Sequence, residues 1–317
     1  MSLWRLALSS LERSIPVLLL YVVESKGSSP GRQGFFMVMN GEGETEGSIG
    51  GGIMEHKFLE MGRELLRHGT SMLSLRRQVH DKEATKDQSG MICSGEQTIL
   101  LYTLRAGDGV AIGALVESLE SNRNGCLRLS PEGIGFSAVV PEAGYYFEKR
   151  SEEDWVYLEK TGYVDRLFIV GGGHCALALS RIAQTMNFYI TLFDDRSGLG
   201  SVARNEYVQE KVLVGDYAEL GELVKAGSHS YVIVMTQGYR TDDRAVRVLL
   251  PMEFRYFGLL GSKAKIGKMM ADYRLEGISE EWLGRMRAPA GLSIRSQTPE
   301  EIAVSIMAEV IQARHGG

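Results

Sequence analysis

Cysteine is scarce: the 317-residue chain has 3, at Cys93, Cys126 and Cys175. Their number is odd and their spacing wide, and no Cys-x-x-Cys pair occurs. A disulfide framework and a cysteine-rich zinc site are therefore set aside, and a reducing compartment fits. Proline is also sparse, at 7 residues. Positive charge is not in excess, with 35 Lys plus Arg against 40 Asp plus Glu and a net charge of -5. The chain thus lacks the basic balance that non-specific nucleic-acid binding needs. The longest strongly apolar run, residues 17–23, is far short of the ~20 residues of a membrane span. Arg5, Glu12 and Arg13 interrupt the apolar residues near the N-terminus, which does not have the ordered regions of a signal peptide. The expectation is a cytoplasmic protein that binds neither nucleic acid nor membrane.

Hydrophobic residues make up 44% and charged residues 24%, close to the globular average. The length suits one large domain or two ordinary ones. Glycine is abundant, at 38 residues, and much of it sits in short loops, a hint of close backbone approach to a ligand.

The two halves read differently. Residues 1–105 are mixed: a helix over 4–13, strands over 16–24 and 35–39, and a helical stretch over 53–67. Further strands are expected over 75–79 and 97–102. A middle stretch holds a helix over 109–122 and two short strand-like pieces. From residue 164 onward, apolar runs at 167–170, 189–193, 212–214, 231–235 and 256–260 alternate, for the most part, with helical stretches. This predicts an α/β architecture, with a doubly wound parallel sheet in the C-terminal domain (164–317) and a mixed α+β N-terminal domain (1–163). The last helix is signposted by Thr298, Pro299 and Glu301, the elements of a capping box with proline at the first helical position. Ile302, Ile306, Val310 and Ile311 are expected to share its buried face.

The strongest motif is Gly171-Gly172-Gly173-His174-Cys175-Ala176, a G-x-G-x-x-A pattern directly after a strand and opening a helix. Gly171 suits the tight turn, Gly173 lets a pyrophosphate approach the backbone, and Ala176 lets the helix pack against the strand. The helix start offers free N–H groups to an anion. Asp194 and Asp195 follow about twenty residues later, where an acid takes a ribose hydroxyl. Arg196 beside them blunts the preference for a ribose without 2′-phosphate. His174 reads either as a ligand or proton donor at the crevice or as an imidazole capping a neighbour. Thr236, Gln237, Gly261, Ser262 and Lys263 end other strands on the same sheet edge and form a second wall, or else do ordinary turn chemistry. In the N-terminal half, Gly50, Gly51 and Gly52 precede Glu55 and His56, and such a loop either converges N–H groups on an anion or serves close packing. Cys93 lies in a glycine-flanked loop and is a candidate thiolate if its pKa is lowered; Cys126 and Cys175 read as structural. No Ser-His-Asp order, HExxH or P-loop occurs, and no catalytic or metal-ligand set is assigned.

Taken in order, these blocks resemble the XdhC/CoxI family, accessory proteins of xanthine dehydrogenase and related molybdenum hydroxylases. The N-terminal resemblance rests on Gly27-Ser28-Ser29-Pro30, Gly34, the glycine loop from Gly47 to Gly52, and Glu55. The C-terminal resemblance rests on Gly171 to His174, Phe193-Asp194-Asp195-Arg196, Met235-Thr236, Gly258-Leu259-Leu260-Gly261-Ser262, Ala288-Pro289-Ala290-Gly291-Leu292 and Thr298 to Ala303. The chain departs from the family pattern at Ile53 and Gln237, which remove a thiol and an imidazole, and at Ser94 and Gly31. The resemblance implies a Rossmann-like C-terminal domain, molybdenum cofactor (molybdopterin) as cargo, and a chaperone's role in its sulfuration and insertion into a client molybdenum hydroxylase. It further implies a cysteine desulfurase as a possible partner and a homodimer. The Gly171–His174, Asp194–Arg196, Thr236, Gly261 and Ser262 positions would bind cofactor, together with Gly50–Gly52, Glu55 and Cys93 across a domain interface. The alternatives are an NAD(P)-binding oxidoreductase and a nucleotide-sensing regulator using the same crevice.

Overall fold

The structure, a computed structural model, describes residues 2–79 and 95–316. It divides into two compact units, Met1–Gly162 and Tyr163–Gly317. Among the described residues no helix is long and apolar enough to cross a membrane.

The first unit contains strands β1 (Val17–Gly27), β2 (Phe36–Asn40), β3 (Thr45–Gly47), β4 (Leu73–Val79), β5 (Gly95–Thr103), β6 (Gly125–Ser130), β7 (Gly133–Ser137), β8 (Tyr145–Lys149) and β9 (Trp155–Thr161). Its helices are α1 (Ser2–Glu12), α2 (Gly52–Arg67) and α3 (Asp108–Glu120). The strands form two antiparallel sheets, ordered β3-β2-β1-β5-β4 and β7-β6-β9-β8. The middle stretch thus holds four strands, two more than its polar composition suggests. Strand β1 is apolar at every position from Val17 to Val23 because both its faces are covered. Val17, Leu19, Tyr21 and Val23 join one core with α1, α3 and the second sheet; Leu18, Leu20 and Val22 join another with α2. Each such side chain is worth ~1.5–3 kcal/mol of burial.

The second unit contains β10 (Asp165–Val170), β11 (Phe188–Asp194), β12 (Glu210–Leu213), β13 (Gly227–Val234), β14 (Phe254–Leu259) and β15 (Met286–Arg287). Its helices are α4 (His174–Thr185), α5 (Gly200–Ala203), α6 (Leu220–Leu223), α7 (Tyr239–Leu249), α8 (Lys263–Leu275), α9 (Glu280–Arg285) and α10 (Pro299–Arg314). Every strand pairing is parallel, in the order β12-β11-β10-β13-β14-β15. Counted within the unit this is 3-2-1-4-5-6, the doubly wound dinucleotide-fold order. The apolar runs have no alternation in polarity because both faces are buried. Leu167 and Ile169 of β10 face α4 and α10, while Phe168 and Val170 face α7 and α8.

Helix α10 starts as its sequence predicts. The Thr298 hydroxyl accepts from the Glu301 amide at 3.2 Å, and Glu301 accepts from the Thr298 amide at 3.1 Å. The buried face is Ala303, Ile306, Met307 and Val310. Met307 takes the place expected for Ile311, which is 37% exposed.

Glu159, a half-buried acid on β9, borders the core of the first unit. A single Glu159 carboxylate oxygen accepts from the hydroxyl of Tyr157 at 2.7 Å and from that of Tyr21. Burial pushes the Glu159 carboxyl up to about 7, although both tyrosine hydrogen bonds pull it down. An acid with a raised folded value holds its proton longer in the fold than in the unfolded chain. Stability should therefore fall as pH rises from the ordinary glutamate range to about 7. We expect a loss of ~2 kcal/mol across pH 5–7.5, measured by urea denaturation, which Glu159→Gln removes. A parent and variant with identical pH profiles would contradict the assignment.

Candidate functional site

The sheet order reverses between β10 and β13, and the crevice outside their carboxyl ends is where ligands of such sheets bind. The chain leaves β10 through three glycines whose surroundings differ. Gly171 has φ +106°, in the left-handed region, and a Cβ there would run into the Met235 carbonyl and Thr236 Cα. At Gly172 a Cβ would strike the Val202 side chain. At Gly173 a Cβ would meet nothing within 4 Å. Packing explains the first two; the third faces open space.

The amides divide the same way. Gly171 N–H donates to the Phe193 carbonyl at 2.7 Å and Gly172 N–H to Asp194 Oδ2 at 2.5 Å. The first bond of α4 runs from Leu177 N–H to the Gly173 carbonyl at 3.1 Å. The amides of Gly173, His174, Cys175 and Ala176 have no acceptor among the described residues. A 12-residue helix thus opens with unsatisfied donors and a partial positive charge. This arrangement suits a phosphate.

Asp194 ends β11 and is itself fully engaged. Its Oδ1 accepts from the Arg196 amide at 2.9 Å and Nε at 2.8 Å; its Oδ2 accepts from Gly172 and from Arg196 Nη2 at 2.7 Å. Burial pushes this carboxyl up, but the Arg196 guanidinium and the Gly172 and Arg196 amides outweigh it and hold it below the usual aspartate range. Arg196 also reaches Gln237 Oε1 at 3.3 Å and lies 3.8 Å from Asp195. Tyr217 donates to Asp195 at 3.1 Å.

The second wall stands on a pair that is not evident in the sequence. Asp242, fully buried in the first turn of α7, accepts from the Thr236 amide at 2.9 Å and hydroxyl at 2.7 Å. Its other oxygen is bonded to the Lys265 ammonium, which also donates to the Leu260 carbonyl at 2.9 Å. Ser262 caps α8, its hydroxyl accepting from the Lys265 amide at 3.2 Å. A Cβ at Gly261 would collide with the Lys265 stem. Lys263, the lysine singled out by its place at the strand end, is exposed; Lys265 is the one that turns inward. Asp242 reads in sequence as an ordinary acid in a helix's first turn, so only the convergence of two loops reveals it.

His174 is exposed and its side chain has no hydrogen bond among the described residues. It lines a groove of about 610 Å³ with Leu177, Arg181, Ile182, Arg204 and Tyr207. Cys175 is half-buried, and burial, followed by the Glu300 carboxylate, pushes its thiol up. Burial pushes the Cys126 thiol up as well. Neither is an activated nucleophile. Among the described residues no three His, Cys, Asp or Glu side chains are grouped to hold a metal ion.

In the first unit the glycine loop also converges on an acid, the chain's own. One oxygen of Glu55 accepts from the Ser48 hydroxyl at 2.7 Å, the Ile49 amide at 2.9 Å and the Gly51 amide at 3.0 Å. Gly50 packs against Gly31, where a Cβ would meet the Gly31 amide at 2.5 Å. Gly52 opens α2. Cys93 lies outside the described residues.

Residues 167–310 match the XdhC Rossmann domain, and residues 10–77 match the XdhC and CoxI family. The chain is 23% identical over 310 residues to an uncharacterized Escherichia coli K12 protein, YqeB, covering 96% of this chain and 44% of that protein. It is 24% identical over 159 residues to a Bacillus subtilis protein named as a probable subunit of xanthine dehydrogenase, covering 50% and 46% respectively. The chain spans about half the length of these two relatives. A crystal structure described as a xanthine dehydrogenase from Bacillus halodurans superposes with a TM-score of 0.72 at 22% identity, over 99% of this chain and 96% of that one. At that identity the likeness speaks for the fold.

Substitutions at the two outer glycines of the turn should differ in cost. Gly171→Ala should cost ~2 kcal/mol or more through strain and collision. Gly173→Ala should stay within ~1 kcal/mol, the difference between glycine and alanine at a helix cap. Asp242→Ala should cost ~3 kcal/mol, since it leaves the Lys265 ammonium without its partner. Urea denaturation of the three variants checks the ranking.

Proposed function

The chain belongs to the XdhC and CoxI family, and on that footing we propose that it is an accessory factor of a xanthine dehydrogenase-type molybdenum hydroxylase. In this reading it carries molybdenum cofactor as cargo and assists its sulfuration and insertion into the client. The observation that carries the reading is the Gly173 turn. Gly173 has open space where a side chain would stand, beside four amides that lack acceptors. A phosphate monoester, the anionic end of molybdopterin, matches that donor array in charge and size. The redox chemistry belongs to the cargo and is exercised in the client. The residues of this chain would bind, orient and release it. The Gly173–Ala176 amides would hold the phosphate, and His174 would face the cargo from the helix start. Thr236, held by Asp242, would form the opposite wall with Gly261 and Ser262. Such a carrier needs no acid–base pair at a reacting carbon.

Names of relatives support the client class: the Bacillus subtilis relative is named for xanthine dehydrogenase, as a probable part of it, and the Bacillus halodurans structure is described as a xanthine dehydrogenase. A homodimer and a cysteine desulfurase partner are part of the same proposal. A sedimentation mass near two 35.0 kDa chains would support the dimer.

Deleting the gene should leave the client hydroxylase at normal protein level but poor in cofactor or terminal sulfur, and inactive. Gly173→Val should fail to restore it, because bulk blocks the phosphate while the turn itself is undisturbed. Purified parent should retain a molybdopterin mass by native mass spectrometry, and the variant should retain at least ~10-fold less, a loss of ~1.4 kcal/mol. Full client activity in the deletion strain would end the proposal.

A further inference from the structure

We infer that Arg196 closes the ribose subsite of the crevice, so that the glycine turn takes a phosphate monoester and rejects nicotinamide dinucleotides. The inference rests on the glycine turn being a phosphate site, as proposed above, and specifies the ligand class.

In this fold a dinucleotide lays its pyrophosphate on the turn and its adenosine ribose over the end of the second strand, where a carboxylate accepts the ribose hydroxyls. Asp194 stands at that position. A carboxylate offers about four acceptor sites, and Asp194 receives four donors: Gly172 N–H, Arg196 N–H, Arg196 Nε and Arg196 Nη2. The amide contact from Gly172 leaves one side of the carboxylate open to a ribose. The guanidinium covers it, and the Asp194 side chain is only 4% exposed. Arg196 is anchored beyond Asp194 as well, with Nη1 on Gln237 in the loop after β13. Its guanidinium therefore bridges from the end of β11 to the end of β13.

A ribose hydroxyl could reach Asp194 only by displacing that guanidinium. The displacement would leave a buried carboxylate without its counter-ion, a heavily unfavourable outcome. Nor does Arg196 recruit a 2′-phosphate. Its charge is answered by Asp194 at 2.7 Å and Asp195 at 3.8 Å, so two carboxylates surround one cation. A second phosphate arriving there meets net negative charge. A monoester phosphate asks nothing of Asp194 and needs only the amides of Gly173 to Ala176.

Isothermal titration calorimetry of the full chain with NAD+, NADP+ and inorganic phosphate tests this, with phosphorus NMR line broadening as a second readout for phosphate. The parent should show no saturable binding of either dinucleotide at ~1 mM while phosphate binds. Arg196→Ala, which uncovers Asp194, should bind NAD+ saturably with Kd of ~100 µM or below, at least ~10-fold tighter than the ~1 mM bound on the parent. Adding Gly173→Val to it should abolish the gain. A parent that binds NAD+ or NADP+ saturably at ~1 mM overturns the inference, and this arm stands even if Arg196→Ala does not fold. A folded Arg196→Ala that gains nothing also overturns it. Failure of phosphate to bind the parent rejects the glycine-turn reading instead, so the two failures are distinguishable.

Discussion

A single carboxylate governs the candidate site. Asp194 joins the turn after β10 to the end of β11, through Gly172, and binds Arg196 through both its oxygens. By taking the Gly172 amide into the fold, it fixes the turn ahead of four amides that have no acceptor among the described residues. By holding Arg196, it places a guanidinium across the mouth of the crevice as far as Gln237. A charge-assisted bidentate pair of this kind is directional as well as strong, so the position of the cation is set along with that of the acid.

The two units solve the same problem differently. A glycine turn exposes convergent N–H groups, and such a nest requires an acceptor. In the first unit Glu55 supplies it from within, one oxygen serving Ser48, Ile49 and Gly51. That loop is a closed structural device. In the second unit Asp194 takes only the Gly172 amide among those of the turn and helix start, and the helix start beyond it remains unsatisfied. The contrast explains why one glycine loop carries the functional reading and the other does not, although both look alike as strings of residues.

Rigidity of the opposite wall comes from the Asp242–Lys265 pair. Its members lie on different helices, yet between them they hold the Thr236 amide and the Leu260 carbonyl, the residues that follow β13 and β14. A buried pair contributes little net stability but specifies one arrangement of the groups it touches. A site that must bind and release without rebuilding itself benefits from such fixed edges.

The second unit was legible in the sequence because its signals are local. Largely apolar runs at β10, β11, β13 and β14 report burial on both faces, and Thr298, Pro299 and Glu301 mark the start of α10 within four residues. The glycine turn was also legible, because strand, turn and helix are contiguous. What the sequence could not reveal are relations between distant loops. Nothing in the string shows that Asp194 is saturated by Arg196, that Glu55 fills its own glycine loop, or that Lys265 rather than Lys263 reaches Asp242. Nor does it show that Met307 rather than Ile311 completes the α10 face. Polarity and spacing identify which residues are capable of a role. Only tertiary structure decides which capability is already spent inside the protein, because hydrogen-bond and charge partners are assigned by proximity in space.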